Sequence, residues 1–432
     1  ESQKFLKSQL VGQKFKIMFV FFQVVLLFQQ VYQTTYPSPY SEFLSFFSIL
    51  KLDLFSVVKM ECVVSGSFLS KLLFATMLPI GLALLLLAGW FVSRARFGAE
   101  TKQHQIVENT VFNLFIIMTY VLFPAISTII FSAFVCEDFD DGSSYMRADY
   151  STSCDSSEYS SIVALATTMI FVYPLGIPTM YFVLMYREKD RLNPQQFFTD
   201  MSLLEAVLKR REEVVRLRFL FDAFLPDYWW TEVMECLRKL LLTGFVVFFY
   251  SGSALQILFG LVVSIVFLTL YSKFEPYLMP SNNTFASYVH FQISFTLLLT
   301  FALRMLTYTE GTDHESDLDF DTDSLSLTLV ISNASVVIIG AFFIVRACFN
   351  TSEGDFLDAG FDEDLRRLEG SEEVSVDQGS NFWSASLLRR SLFEDVEEDE
   401  EGDEEGVDGR EEEDHGLVSG GQSKLSTISM DI

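Results

Sequence analysis

The most informative part of the sequence is the stretch Tyr228-Trp229-Trp230-Thr231-Glu232-Val233-Met234-Glu235-Cys236-Leu237-Arg238-Lys239-Leu240-Leu241-Leu242-Thr243-Gly244. The apolar residues that follow Lys239, 240–250, would rise about 16 Å as a helix, roughly half of a bilayer's hydrocarbon core. A helix over 229–250 would be about 33 Å long and would cross the core. It would also place the aromatic side chains of Tyr228, Trp229 and Trp230 at the membrane interface, which such rings prefer. We therefore predict a membrane span over 229–250 with an aromatic anchor at its start.

That span carries charged side chains into the membrane. An unpaired charge near the bilayer centre costs at least about 2.5–3.5 kcal/mol, so these side chains should be paired and should face protein or water. Arg238 and Lys239 follow Glu235 by three and four residues, with the acid nearer the N-terminus, which is the favourable order on a helix. Three interpretations remain open: a structural link between helices, a network that couples cytoplasmic movement to the bundle, or part of an ion pathway. The cluster consists of Glu232, Glu235, Arg238 and Lys239.

The composition is that of a membrane protein. Half of the 432 residues are hydrophobic and 45 of them are Phe, which leaves a soluble protein too little polar surface. Eight stretches are long and apolar enough to span a bilayer. They are residues 13–32, 68–93, 106–135, 161–186, 229–250, 253–273, 285–308 and 325–349. We predict an all-α polytopic bundle over residues 1–349.

The basic residues predict the orientation of this bundle. If the N-terminus is cytoplasmic, the connections on that side are rich in Lys and Arg, whereas the outer connections contain only Lys51, Lys59 and Arg147. The positive-inside rule then predicts that both termini of the chain are cytoplasmic. We expect the protein to lie in the plasma membrane.

Two further helices are predicted beside the spans. The apolar positions of 43–58 follow helical spacing, but Lys51 and Asp53 make it a poor span, so we predict an interfacial helix. Residues 203–224 form a basic amphipathic pattern, which is expected to lie against an anionic inner leaflet. Its candidate lipid-binding residues are Lys209, Arg210 and Arg211.

The cysteines and prolines add two local predictions. Cys136 and Cys154 close a short acidic loop on the predicted outer side and form the preferred disulfide, although Cys62 is a competing partner for either. The motif 173–178 interrupts the fourth span and predicts a kink, which is either a functional hinge or a static bend. Its residues are Pro174, Gly176 and Pro178.

The last part of the chain, 350–432, is acidic and of low complexity. Residues 351–432 contain 26 Asp and Glu against 6 Lys and Arg, so they carry −20 of the chain's net charge of −27. Such a segment cannot bury enough apolar surface to fold, and we predict a disordered cytoplasmic tail that recruits a partner.

The sequence contains no recognisable catalytic constellation. The four His are scattered, and there is no metal-spaced Cys and His set, phosphate-binding Gly loop or serine elbow. The −7 charge of the rest of the chain gives no basic stripe for nucleic acid. We expect a protein that is not an enzyme, with no cofactor, no metal and no nucleic-acid partner; its oligomeric state is open.

Several motifs resemble one family. They are the stretch 228–244, Tyr173-Pro174-Leu175-Gly176-Ile177-Pro178, Cys136…Asp141-Gly142…Asp149-Tyr150…Cys154 and Asp53-Leu54-Phe55. Over residues 13–308 the chain resembles the C-terminal multi-span module of very large protist and algal surface proteins, whose membrane region is described as TRP-like or polycystin-like. The resemblance implies cysteine-rich, receptor-like repeats outside the cell and a further span upstream, so we expect this chain to be a truncated form.

Two functions follow from these observations. The first is a non-enzymatic surface receptor, adhesion or signalling module. The alternative is a TRP-like cation channel, which needs a re-entrant pore helix and a filter between its pore spans. The connections that follow the fifth and seventh spans are poor candidates, because one is very short and the other, 309–324, is acidic and almost without apolar residues.

Overall fold

The computed structural model describes residues 2–51, 67–98, 101–194, 203–249, 252–309 and 322–349. These residues form an α-helical bundle with one small β-hairpin, and the predicted all-α class is confirmed. The tail 350–432, the second half of the predicted interfacial helix and Cys62 lie outside the described residues.

The helices follow one another in the order α1 (Ser2–Tyr32), α2 (Ser38–Phe46), α3 (Phe68–Phe97), α4 (Lys102–Ser132), α5 (Ser157–Val172), α6 (Gly176–Arg187), α7 (Lys189–Leu192), α8 (Leu203–Glu213), α9 (Arg218–Phe221), α10 (Thr231–Thr243), α11 (Ala254–Phe274), α12 (Pro280–Thr309) and α13 (Thr322–Phe349). Short 3₁₀ segments lie at Ser48–Lys51, Val215–Leu217, Pro226–Tyr228 and Phe245–Phe248.

Seven helical segments of the described residues are long and apolar enough to cross a membrane. They are Val11–Tyr32, Phe68–Phe97, Lys102–Ser132, Ser157–Arg187, Ala254–Phe274, Pro280–Thr307 and Thr322–Arg346. They coincide with seven of the eight predicted spans. A helix satisfies its own backbone hydrogen bonds in lipid, and a continuous apolar sequence gives it side chains that are compatible with the lipid. The chain is therefore a multi-pass membrane protein.

The fifth predicted span, 229–250, is not among these seven segments, because it is not a continuous helix. We call it the broken crossing. Helix α10 stops at Thr243, and a 3₁₀ segment continues the path after Gly244. A Cβ at Gly244 would lie 2.7 Å from the ring of Phe131, so only glycine allows this close approach of α4. The prediction of one uninterrupted helix is wrong, because packing against α4 decides where the helix ends.

Backbone and side-chain contacts show that this broken segment joins the two ends of the bundle. At one end the Leu225 N–H donates to the Pro276 carbonyl at 2.9 Å. At the other end Arg304 donates to the carbonyl oxygens of Gln33 and Gly252. We call the first the connection end, because the described residues of the connection 188–230 lie there. We call the second the hairpin end, because the hairpin follows α4 there.

Helix α10 occupies the middle of the bundle. It contacts α1 and α11 on one side and α4 and α6 on the other. Two apolar cores meet at it: one is built mainly from α1, α11, α12 and α13, and the other from α3 to α6 with the connection. Any charge on α10 is therefore surrounded by protein.

The predicted interfacial helix 43–58 lies only partly within the described residues. Its described part belongs to α2 and to the 3₁₀ segment up to Lys51. The ring of Phe47 stacks on Phe22 with centroids 4.0 Å apart, and Phe22 lies about 15 Å before the end of α1 at the rise of a helix. Aromatic packing thus holds the described part of this segment against α1, and its placement at the membrane interface stays a prediction.

The hairpin end carries the predicted disulfide. Strand β1 (Cys136–Asp138) pairs in antiparallel register with β2 (Ser144–Met146), and Cys136 is bonded to Cys154. Asp149 accepts a hydrogen bond from the Phe68 N–H at 3.0 Å, which satisfies one free donor at the start of α3. Burial opposes ionisation of this carboxyl, but the bonds from Ser151 and Phe68 prevail and lower its pKa.

The fourth span is interrupted at the predicted position. Helix α5 ends at Val172 and α6 begins at Gly176, and between them the Leu175 N–H donates to the Ile170 carbonyl, five residues back. A Cβ at Gly176 would lie 2.6 Å from the Phe171 carbonyl oxygen, so the bend requires glycine. The bend is present at Pro174, Gly176 and Pro178; their role as a hinge stays a prediction.

Candidate functional site: a buried charge cluster

Helix α10 places its charged residues inside the bundle. Glu232, Glu235, Arg238 and Lys239 recur at three- and four-residue intervals, so they share one helical face. Each of the four is at most 7 % exposed. Buried charges at this density require partners, and the neighbouring helices supply them.

Glu235 is the most heavily bonded member of the cluster. Its Oε2 lies 2.7 Å from Nη2 of Arg238, and the hydroxyl of Tyr271 on α11 donates to its Oε1 at 2.5 Å. The Nε2 of His290 on α12 lies 4.0 Å from the same oxygen. One carboxylate thus links α10 to two other helices, in addition to the local pair with Arg238 that the spacing predicts.

Glu232 pairs with a residue that the sequence analysis did not select. The Nζ of Lys16 on α1 lies 2.6 Å from Oε2 of Glu232, and it also donates to the Phe219 carbonyl at 3.3 Å. One signal pointed to such a partner: Glu232 is followed at three and four residues by Glu235 and Cys236, neither of which is basic. Its base therefore has to come from another helix.

Lys239 contacts an aromatic ring and does not form the predicted hydrogen-bonded ion pair with Glu235. Its Nζ lies 3.8 Å from the centroid of the Tyr120 ring, over the face of the aromatic system. It has no hydrogen-bond acceptor among the residues that the structure describes. A cation over a ring face is stabilised by the ring's quadrupole, and more strongly in a desolvated site. Lys239 thus contributes a cation–π contact to α4, whereas Arg238 is the base that neutralises Glu235.

A small cavity adjoins the cluster. Its volume is about 20 Å³, and it is lined by both acid–base pairs together with Tyr277 and His290. That space accommodates about one water molecule. Glu232 Oε1 and Arg238 Nη1 have no protein partner within the described ranges. A single water in a polar cavity of this size would supply hydrogen bonds that these side chains lack.

The three predicted interface aromatics do not act alike. Tyr228 is 2 % exposed and packs against Trp230 and Phe274, so it is a core residue and its prediction as an interface anchor is wrong. Trp229 and Trp230 are half-buried at the start of the crossing, and Trp229 stacks on Phe182 of α6. These two retain the partly exposed position that an interfacial Trp needs.

The predicted anionic-lipid residues are also divided. Arg210 is fully buried, with its guanidinium near the Phe221 ring and Nη2 donating to the Phe224 carbonyl, so the prediction that it faces lipid is wrong. Burial lowers the pKa of Arg210 to about 10. Lys209 and Arg211 are half-buried, and Arg211 Nε lies 3.4 Å from an Asp222 carboxylate oxygen. The side chain of Arg210 points into the protein because it packs against the Phe221 ring and bonds the Phe224 carbonyl.

Comparison of the chain with protein-family models, with curated proteins and with solved structures finds no match. The resemblance to the membrane module of large protist and algal surface proteins therefore stays an expectation.

Proposed function

We propose that this chain is a non-enzymatic membrane signalling module of a surface receptor, in which the buried charge cluster couples the connection end to the broken crossing. The observation that carries the proposal is the position of Lys16. Its ammonium contacts the Phe219 carbonyl of the connection and the Glu232 carboxylate of α10 at the same time. A displacement of the connection therefore acts on the same ammonium that neutralises Glu232 on α10.

The broken crossing supports the same function. Helix α10 is followed by a 3₁₀ segment and not by a further helical turn, so it is not held in line by a continuous backbone ladder. The 3₁₀ segment ends next to the hairpin end, where Gly252 is bonded to Arg304. A movement that begins at Phe219 can pass along α10 to the opposite end of the bundle.

The geometry favours coupling over conduction. The acids of the cluster are paired, and the cavity between them has room for about one water. An ion path needs a continuous polar passage, whereas this cavity is bounded by apolar side chains such as Ile17, Val20 and Val289.

The test measures two distances across the protein by spin labelling. One pair of labels, at Glu213→Cys and Ser272→Cys, reports the connection end; the second, at Phe139→Cys and Leu255→Cys, reports the hairpin end. Cys62 and Cys348 are replaced by serine in all variants. Glu232→Gln weakens the bond to Lys16, and coupling predicts that the distance distributions of both pairs shift or broaden. A change confined to the first pair contradicts the proposal, because a local structural link would give that result.

The matched control is Glu108→Gln. Glu108 forms a 3.1 Å pair with Arg216, whose side chain is 55 % exposed, so this pair contributes little. Neither distance should change in this variant. Purified protein in liposomes should also give no cation flux above protein-free liposomes. Cation flux that exceeds the protein-free level would favour the TRP-like channel instead.

The orientation belongs to the same proposal. The start of α1 and the end of α13 both lie at the connection end, since Lys14 bonds Asn282 and also lies 5.7 Å from the Phe343 ring. The excess of basic residues at that end supports a cytoplasmic placement in the plasma membrane.

We predict that a membrane-impermeant thiol reagent labels Asp141→Cys on intact cells and labels Glu213→Cys only after permeabilisation. The reverse pattern would invert the topology. The sequon at Asn282 should carry no glycan, since its side chain is buried against Lys14 and lies at the cytoplasmic end.

A further inference from the structure

The ring of Tyr120, on α4, lies against two ammonium groups that come from different helices. The Nζ of Lys239 on α10 is 3.8 Å from the ring centroid, and the Nζ of Lys16 on α1 is 4.8 Å from it. Both distances are within the roughly 6 Å over which the face of an aromatic ring attracts a cation. The Tyr120 side chain is buried, so water screens this attraction little. One ring of α4 thus contacts a cation of α1 and a cation of α10.

The connection reaches the same ring. The ring of Phe219 forms a T-shaped contact with Tyr120, with the two centroids 5.0 Å apart. Rings in this arrangement place the positive edge of one against the negative face of the other. Lys16 lies 4.4 Å from the centroid of the Phe219 ring and also bonds the Phe219 carbonyl. Tyr120 is therefore a point at which α1, α4, α10 and the connection meet.

The charges of the cluster indicate what the ring contributes. Each of the two carboxylates is bonded to a cation, Glu232 to Lys16 and Glu235 to Arg238. The third cation, Lys239, has no hydrogen-bond acceptor within the described part of the chain. A buried ammonium without a hydrogen-bonded counter-charge is costly, and the negative face of an aromatic ring lowers that cost. The position of Lys239 should then depend on the electron density of the ring and not only on the ring's size.

We propose that Tyr120 is a positioning residue of the charge cluster. Its ring holds Lys239 and Lys16 electrostatically, and it ties the connection to α10 by a route that does not pass through Glu232. The part of Tyr120 in coupling rests on the function proposed above, whereas the attraction between the ring and the two cations does not. The contact with Lys239 is the shorter of the two, so it should contribute most of the effect.

The experiment varies the electron density of the ring and leaves its size nearly constant. Tyr120→Phe in the full chain is compared with variants whose phenylalanine at this position carries one, two or three ring fluorines, introduced by amber suppression. Fluorine withdraws electron density from the ring face and so weakens its attraction for a cation. The melting temperature of the purified protein should fall with each fluorine, by about 2–4 °C in total. The variants with one and two fluorines give the slope if the variant with three does not fold.

Two controls separate electrostatics from packing. Phe123 lies in the apolar core on the same helix, and the same fluorines on its ring should not lower the melting temperature stepwise. Lys239→Met should remove most of the dependence on fluorine at Tyr120, because the nearer cation is then absent. A melting temperature that is independent of fluorine at Tyr120, an equal dependence at Phe123, or a dependence that Lys239→Met leaves unchanged overturns the proposal.

The two spin-label pairs described above test the part of Tyr120 in coupling. In the variant with three fluorines the distance distributions of both pairs should shift or broaden, although Glu232 keeps its bond to Lys16. If Glu232→Gln shifts both pairs and the fluorinated variants shift neither, the coupling stands and the part of Tyr120 in it is overturned. If fluorine lowers the melting temperature but neither change alters the pair at the hairpin end, the ring holds the cations and the proposed function fails.

Discussion

Glu235→Gln should sharply reduce the yield of folded protein and lower its melting temperature, and Glu235→Lys should do so more severely. Removing one partner of a buried ion pair costs about 3–5 kcal/mol, because the other charge is left uncompensated. That is a large fraction of the roughly 5–15 kcal/mol by which proteins are stable. Glutamine can still accept the bond from Tyr271, but it cannot neutralise Arg238 at 2.7 Å. Lysine adds a further positive charge beside Arg238 and Lys239.

Fluorescence-detected size exclusion and thermal unfolding of the purified protein measure this effect. Glu188→Gln is the matched control, since it breaks a 3.0 Å pair with Arg191 whose side chains are 34 % and 60 % exposed. Pairs of that kind contribute at most about 1 kcal/mol. Replacing both Glu235 and Arg238 by methionine should restore much of the yield, because neither charge of this pair is then left without the other. Wild-type yield and melting temperature in both single variants would contradict a buried pair.

Gly260→Leu should destabilise the protein by about 3 kcal/mol, the upper part of the range for overpacked cores. Gly260 lies on α11 against Tyr32, the last residue of α1, and a Cβ there would lie 2.9 Å from the ring carbon Cζ. Tyr32 is fully buried, and its hydroxyl donates to the Leu242 carbonyl on α10 at 3.2 Å. The larger side chain must displace the ring and break this bond, which connects α1 to α10 just before the crossing breaks.

The control for this substitution is Gly89→Leu on α3. A Cβ at Gly89 meets nothing within 4 Å, and leucine has the better helix propensity, so this variant should be as stable as the wild type. Tyr32→Ala should partly restore the Gly260→Leu variant by vacating the space, a coupling that a double-mutant cycle measures. Equal melting temperatures for Gly260→Leu and Gly89→Leu would show that Tyr32 does not restrict this contact.

The amino-acid sequence by itself determined the features that depend on continuous or local patterns. Uninterrupted apolar stretches decide which segments span the membrane, because a helix in lipid satisfies its own backbone. The pair of Glu235 with Arg238 and the bend before Gly176 are equally local, since both follow from residues within one or two helical turns. The disulfide between Cys136 and Cys154 closes a short loop, which also lies within reach of sequence reasoning.

Only the tertiary structure decided which distant side chains meet. Lys16 and Glu232 are 216 residues apart, and nothing in the local spacing of either names the other. Arg210 belongs to a basic run that predicts a lipid-facing surface. The structure buries its side chain against the Phe221 ring. The break after Thr243 depends on a ring from α4, and a cavity at the hairpin end is lined by residues of five separate chain segments. Helical periodicity predicts the face of a helix on which a residue lies, but the partner on the facing helix is set by packing.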